Sequence, residues 1–105
     1  MAKKELQVLV AEQKILNRIF VVRRQKVMID EDLASLYHVE TKRLNEQVKR
    51  NSKRFPRDFM FTLTQKEFDN LKSQNATSSW GGRRKLPNAF TEQGVAMLSS
   101  IFYSP

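Results

Sequence analysis

Between Asp30 and Asn51 apolar residues recur at helical spacing on both sides of a short break, which restricts the fold more than any other stretch of the chain. Leu33, Leu36 and Tyr37 stand at i, i+3 and i+4. After His38-Val39-Glu40, Leu44 and Val48 stand one turn apart. Two such stripes must each bury against a neighbour, so the segments are expected to be helices packed on one another, with the small Ala34 at the close approach and Val39 plugging the turn. Asp30 is a suitable N-cap for the first helix, and the second is expected from Thr41 to Asn51, a residue type that takes the left-handed conformation at helix ends. The spacing over residues 30–51 is that of a helix-turn-helix. His38 occupies a turn position where glycine is common; histidine is enriched at positive φ, so it reads as a turn residue without a catalytic role. At about 100° per residue, the side opposite Leu44 and Val48 carries Lys42, Glu46, Lys49 and Lys53, with Arg50 and Asn45 flanking.

The flanking sequence is mixed. Ile19-Phe20-Val21-Val22 and Val27-Met28-Ile29 read as two short β segments joined by the polar turn Arg23-Arg24-Gln25-Lys26, which lacks the Gly or Asn that tight hairpins favour. Arg54-Phe55-Pro56 stops the second helix, and Phe59, Phe61 and Leu63 alternate as the inward side of a strand. Thr64-Gln65-Lys66-Glu67 is a capping box for a helix with Phe68 and Leu71 inward. A polar loop from Ser73 to Gly82 leads to Leu86-Pro87-Asn88-Ala89-Phe90, expected at a sheet edge because proline cannot donate to a ladder. Thr91 caps a last helix whose Val95, Leu98, Ile101 and Phe102 form an apolar stripe. Gly94 inside it costs up to about 1 kcal/mol against alanine and so marks close packing on a strand.

Residues 6–18 read as a short amphipathic helix or an arm, so residues 1–14 are set apart from a domain over 15–105. The expected class is α+β, a small single domain with a helix-turn-helix and short β hairpins and with room for a wing. At 105 residues, 40% of them hydrophobic, the chain can build one modest core. No apolar run reaches membrane-spanning length, and the start lacks the apolar run of a secretory signal, so a cytoplasmic protein is expected. Cys is absent and His38 is the one histidine, which excludes disulfides, thiolate metal sites and Cys-His nucleophile pairs. No cofactor, metal or enzymatic activity is expected.

Nineteen Lys and Arg residues against 11 Asp and Glu give a formal net charge of +8, which points to a polyanionic partner. From Thr41 to Arg57 the bases Lys42, Arg43, Lys49, Arg50, Lys53, Arg54 and Arg57 meet the single acid Glu46. Further clusters are Arg23-Arg24-Gln25-Lys26 and Arg83-Arg84-Lys85. The acidic run Asp30-Glu31-Asp32 falls where a helix begins and suits its macrodipole.

Ordered blocks along the chain carry a resemblance. Val27-Met28-Ile29-Asp30, Asp32-Leu33-Ala34, Leu36-Tyr37, Val39, Thr41, Leu44-Asn45, Val48-Lys49-Arg50-Asn51, Arg54-Phe55-Pro56, Asp58-Phe59-Met60-Phe61 and Phe90-Thr91-Glu92-Gln93-Gly94-Val95-Ala96-Met97-Leu98 together resemble the DNA-binding domain called ORF-six-N, a phage-type relative of the KilA-N superfamily. The resemblance covers about residues 15 to 102. It implies a small DNA-binding domain of phage or prophage origin, often followed by a separate C-terminal domain. Arg23-Arg24 departs from the glycine-containing turn expected there.

The expected function is therefore sequence-selective binding of double-stranded DNA by a phage- or prophage-derived regulatory protein, with a homodimer as an open option. Base reading falls to Lys42, Arg43, Asn45, Glu46 and Lys49, in which Asn45 suits adenine, Arg43 guanine and Glu46 cytosine. Phosphate binding falls to Arg23, Arg24, Lys26, Arg50, Lys53, Arg54, Arg83, Arg84 and Lys85. Trp80-Gly81-Gly82-Arg83-Arg84-Lys85 reads either as a basic wing or as a solvated loop. The first rival reading is an antirepressor-like module that docks an acidic protein. The second is an RNA-binding or nuclease domain, and consecutive acids at a helix start point in different directions, which suits no metal cage.

Overall fold

In the computed structural model, which describes residues 18–74 and 85–102, the chain opens with a hairpin of β1 (Phe20–Val22) and β2 (Gln25–Ile29). Val22 pairs with Gln25, so the connection is Arg23 and Arg24 alone; Gln25 and Lys26, expected in the turn, belong to β2. Both turn residues have positive φ, 54° and 64°, as a type I′ turn requires, because that turn's twist matches the twist of the strands. Arg23 meets the conformational cost with side-chain contacts: its guanidinium forks onto Glu67 and lies over the Phe61 ring.

The remaining strands are β3 (Met60–Thr62) and β4 (Asn88–Phe90), and the antiparallel sheet runs β1-β2-β4-β3. β4 is thus an interior strand and not the expected edge. The proline does not interrupt the ladder because the strand begins one residue after it, and the Pro87 carbonyl instead accepts from the Leu63 N–H at 3.0 Å. Four helices complete the described fold: α1 (Asp30–Leu36), α2 (Thr41–Arg50), α3 (Gln65–Gln74) and α4 (Glu92–Phe102). The class is α+β, as the order of elements suggested.

Alternation along the strands sends side chains to two cores. Val22, Val27, Ile29, Phe61, Leu63 and Ala89 bury against Phe68 and Leu71 of α3 on one face. Met28 and Phe90 bury on the other face against Leu33 and Ala34 of α1, Leu44 and Val48 of α2, Phe55, and Leu98 of α4. Thr64 and Glu67 form the expected capping box at α3, with the Glu67 N–H donating to Thr64 Oγ1 at 3.1 Å and the Thr64 N–H donating to Glu67 Oε1 at 2.8 Å. α3 runs on to Gln74, past the point where a loop was expected, and residues 75–84 lie outside the described residues. So do residues 1–17, which include the arm or short helix expected over 1–14. Thr91 opens α4, its hydroxyl donating to the Asp58 carbonyl at 2.6 Å and accepting from the Gly94 N–H at 3.4 Å. Gly94 packs where expected: a Cβ there would run into the Phe59 carbonyl group, just ahead of β3.

Hydrogen bonds of one turn's reach join α1 to α2. The His38 N–H donates to the Ser35 carbonyl and the Val39 N–H to the Ala34 carbonyl, with His38 at φ 58°, which is a Schellman motif built on histidine in place of glycine. Val39 packs back on the core that holds Ala34, the apolar contact that accompanies such a turn. Tyr37 anchors the end of α1 to α4 through its hydroxyl contact with Ser99 Oγ at 2.9 Å and its stacking on Phe102. Two sequence expectations change here. Asp30 is the first helical residue, with Ile29 at the cap position, and it turns inward. Asn51 ends α2 at φ −112° and not in the left-handed region, because the chain continues into a 3₁₀ turn over Ser52–Arg54.

Candidate nucleic-acid interface

α2 meets the core through Leu44, fully buried, and Val48, nearly so, and this leaves the rest of its circumference outside. Lys42, Arg43, Glu46, Lys49 and Arg50 are exposed, as are Lys53 and Arg54 on the 3₁₀ turn and Arg57 beyond it. With Leu44 at zero, Asn45, Lys49 and Lys42 fall at about 100°, 140° and 160°, Glu46 at about 200°, and Arg50 and Arg43 at about 240° and 260°. The helix therefore has a lysine flank and an arginine flank with Glu46 between them. Lys49 and Arg50, in the last turn, also complement the helix dipole.

The lysine flank is not an open surface. Lys42, Asn45, Glu46 and Lys49 line a hollow of about 680 Å³, closed on the far side by Thr62 of β3, Asn88 of β4, and Lys85 and Leu86 ahead of it. A second hollow of about 310 Å³ shares Asn45, Lys49, Thr62 and Asn88 and reaches along α2 to Ser52 and Phe55. Together they make a groove between the lysine flank of α2 and the paired strand ends Thr62 and Asn88.

The structure separates the expected site residues into groups. Lys42, Glu46, Lys49 and Lys85 share the groove; Arg43 and Arg50 occupy the opposite flank of α2, followed by Lys53 and Arg54. Arg23, Arg24 and Lys26 stand on the hairpin at the other edge of the sheet, where Arg23 is engaged with Glu67 and Arg24 and Lys26 are exposed. Arg83 and Arg84, with Trp80, Gly81 and Gly82, lie outside the described residues, and Lys85 is the first described residue after them.

Asn45 is hydrogen-bonded at both ends of its amide: Nδ2 donates to Asp30 Oδ2 at 3.0 Å and Oδ1 accepts from Asn88 Nδ2 at 3.1 Å. Asn88 and Thr62 were not legible as site residues: one follows a proline, the other ends a short strand, and no local pattern marks either. Asp30 was legible only as a cap.

The acids at the start of α1 stay out of the exposed face. Asp30 is 1% exposed, and its Oδ1 accepts from the Glu31 N–H at 2.7 Å. Burial pushes the Asp32 carboxyl up to about 6, against the pull of Arg18 and with repulsion from Glu31 and Asp30 added. Among the described residues no group of three His, Cys, Asp or Glu side chains could hold a metal ion, and no helix is long and apolar enough to cross a membrane.

A family model described as the ORF6N domain matches residues 17–101, which takes in every element described above but for Phe102, the last residue of α4. No curated protein and no solved structure matches the chain.

Proposed function

The chain belongs to the ORF6N domain family, and from that premise we propose that it is a phage- or prophage-derived regulatory domain that binds double-stranded DNA with sequence selectivity and catalyses nothing. One observation carries the reading. α2 and the 3₁₀ turn behind it expose Lys42, Arg43, Lys49, Arg50, Lys53 and Arg54, Glu46 is the acid among them, and none of these bases has an ion-pair partner among the described residues. Such a cluster repels itself until an anion neutralises it, and a duplex supplies one phosphate charge per roughly 1.7 Å of its axis. The pair α1–α2, joined by its tight turn, fits a helix-turn-helix whose second helix enters the major groove.

In this reading Lys42, Arg43, Glu46 and Lys49 meet base edges. Arg50, Lys53, Arg54 and Lys85 meet phosphates, with Arg24, Lys26, Arg83 and Arg84 as outlying anchors. Arg23 and Asn45 drop out of the contact set because both are engaged inside the domain. The test is selection of bound duplexes from a random pool, followed by titration of the winner at several salt concentrations. Enrichment of a defined site whose affinity collapses with salt supports the reading. No enrichment, together with salt-indifferent binding, sinks it.

A further inference from the structure

A short relay of polar side chains runs along the groove between α2 and the strand ends. It begins at the Asp30 carboxylate, where Oδ1 accepts from the Glu31 N–H at 2.7 Å and Oδ2 accepts from Asn45 Nδ2 at 3.0 Å and from the Asn88 N–H at 3.2 Å. Asn88 Nδ2 then donates to Asn45 Oδ1 at 3.1 Å, and the Thr62 hydroxyl donates to Asn88 Oδ1 at 2.7 Å. Four elements are thereby joined: α1, α2, β4 and β3.

The chemistry of the relay has one solution. These three partners of Asp30 are all donors, so an asparagine there would turn its own NH₂ toward at least one of them. Neither amide can flip, since each has an acceptor on one side and a donor on the other. The relay also ties α2 where the core does not. Leu44 and Val48 lie about 40° apart on α2 and turn one side of it into the core, so both hold the helix along nearly one line and resist its rolling less than a tie set to the side of that line. Asn45, about 100° from Leu44, is the lateral tie. Lys42 and Lys49 share its flank, so the roll of α2 sets the width of the groove between them and Thr62.

We propose that Asp30 is a positioning residue for recognition: through Asn45, Asn88 and Thr62 it fixes the roll of α2, and with it the angle at which Lys42, Arg43, Glu46 and Lys49 present themselves. The proposal rests on the DNA-binding reading above, which it deepens. It makes selectivity depend on a buried carboxylate that contacts no nucleic acid.

The test uses the whole chain and compares Asp30→Asn, Thr62→Val and Thr62→Ser with the parent. Thr62 is exposed, so its variants fold even if Asp30→Asn does not. Two quantities are read: the ratio of affinities for a selected site and a scrambled duplex, and the side-chain amide resonances of Asn45 and Asn88 in the free protein. Asp30→Asn is expected to lower the ratio about tenfold and Thr62→Val about threefold, with affinity for the scrambled duplex changed less than about twofold. Thr62→Ser, which keeps the donor, should keep the ratio. The two amide resonances should move in the first two variants and not in the third. A ratio unchanged by Thr62→Val overturns the proposal. So does a ratio that falls while the amide resonances stay in place, which would make Thr62 a direct contact. If the parent prefers no duplex at all, the DNA-binding reading fails and takes the proposal with it.

Discussion

The Arg23 guanidinium grips the Glu67 carboxylate with two hydrogen bonds, Nε to Oε2 at 2.9 Å and Nη2 to Oε1 at 3.0 Å, while standing 4.2 Å above the Phe61 ring. The tip of the hairpin is thus tied both to the first turn of α3 and to the sheet. A left-handed backbone is costly for arginine, and this fork is what offsets it at Arg23.

Arg24 has the same backbone, φ 64°, without such a side-chain fork among the described residues. Arg24→Gly should therefore raise stability by about 0.5–1 kcal/mol, the relief of left-handed strain less the entropy that glycine loses on folding. Arg23→Gly should show no such gain, because the fork to Glu67 goes with the side chain. Denaturant melts of the two variants check this; destabilisation by Arg24→Gly would contradict the turn assignment.

Two carboxyls give the stability curve opposite slopes. The hydrogen bond from Arg23 holds Glu67 down at about 2, with burial opposing and the Thr64 N–H assisting. That stabilisation is present above the ordinary value of 4.5 and is lost as pH falls toward 2. Asp32, raised by burial from 3.8 to about 6, behaves in reverse: its contribution is full below 3.8 and is lost as pH rises through 6. Stability should peak at about pH 4–5, with each limb on the order of 1 kcal/mol or less once solvent screening is allowed for. Glu67→Gln should flatten the acid limb and Asp32→Asn the other, in urea melts taken from pH 2.5 to 8.

Gly94→Ala should destabilise by about 1–3 kcal/mol, because the added methyl meets a backbone carbonyl that cannot swing aside as a side chain would. That carbonyl, of Phe59, also accepts the Thr91 N–H at 3.0 Å, so displacing it disturbs the start of α4. A thermal melt matching the parent's would show that the helix can shift without loss.

Charge anchoring and base reading separate by salt. If about six bases touch phosphates, the logarithm of affinity should fall against log salt with a slope near −5. Replacing Lys53 and Arg54 together by alanine should weaken binding to every duplex alike and lower the slope by about 2. Arg43→Ala should instead flatten preference at one position, at a cost of about 1–3 kcal/mol there. The reverse pattern would exchange the two roles.

What could be read from the chain alone is what neighbours in sequence decide. The stripe Leu44–Val48, the Thr64–Glu67 capping box and the left-handed His38 all rest on contacts within five residues, and each appears in the structure as its local pattern required. The class of fold followed from those elements in order. Local rules also misled where they were applied without their surroundings. Pro87 argued for an edge strand, yet β4 starts just beyond it and is paired on both sides.

Tertiary structure alone decided which polar groups are hydrogen-bonded to one another within the domain. Asn45 looks like a base reader on any helical projection, and it is the Asp30 carboxylate, 15 residues earlier, and the Asn88 side chain, 43 residues later, that hold its amide. Arg23 looks like one more base in a cluster until Glu67, 44 residues away, is folded against it. Hydrophobic spacing specifies which side of an element turns inward, because burial is a property of each side chain. A hydrogen bond is a property of a pair, and the partners here come from different elements, so their meeting is set by how the helices and the sheet pack.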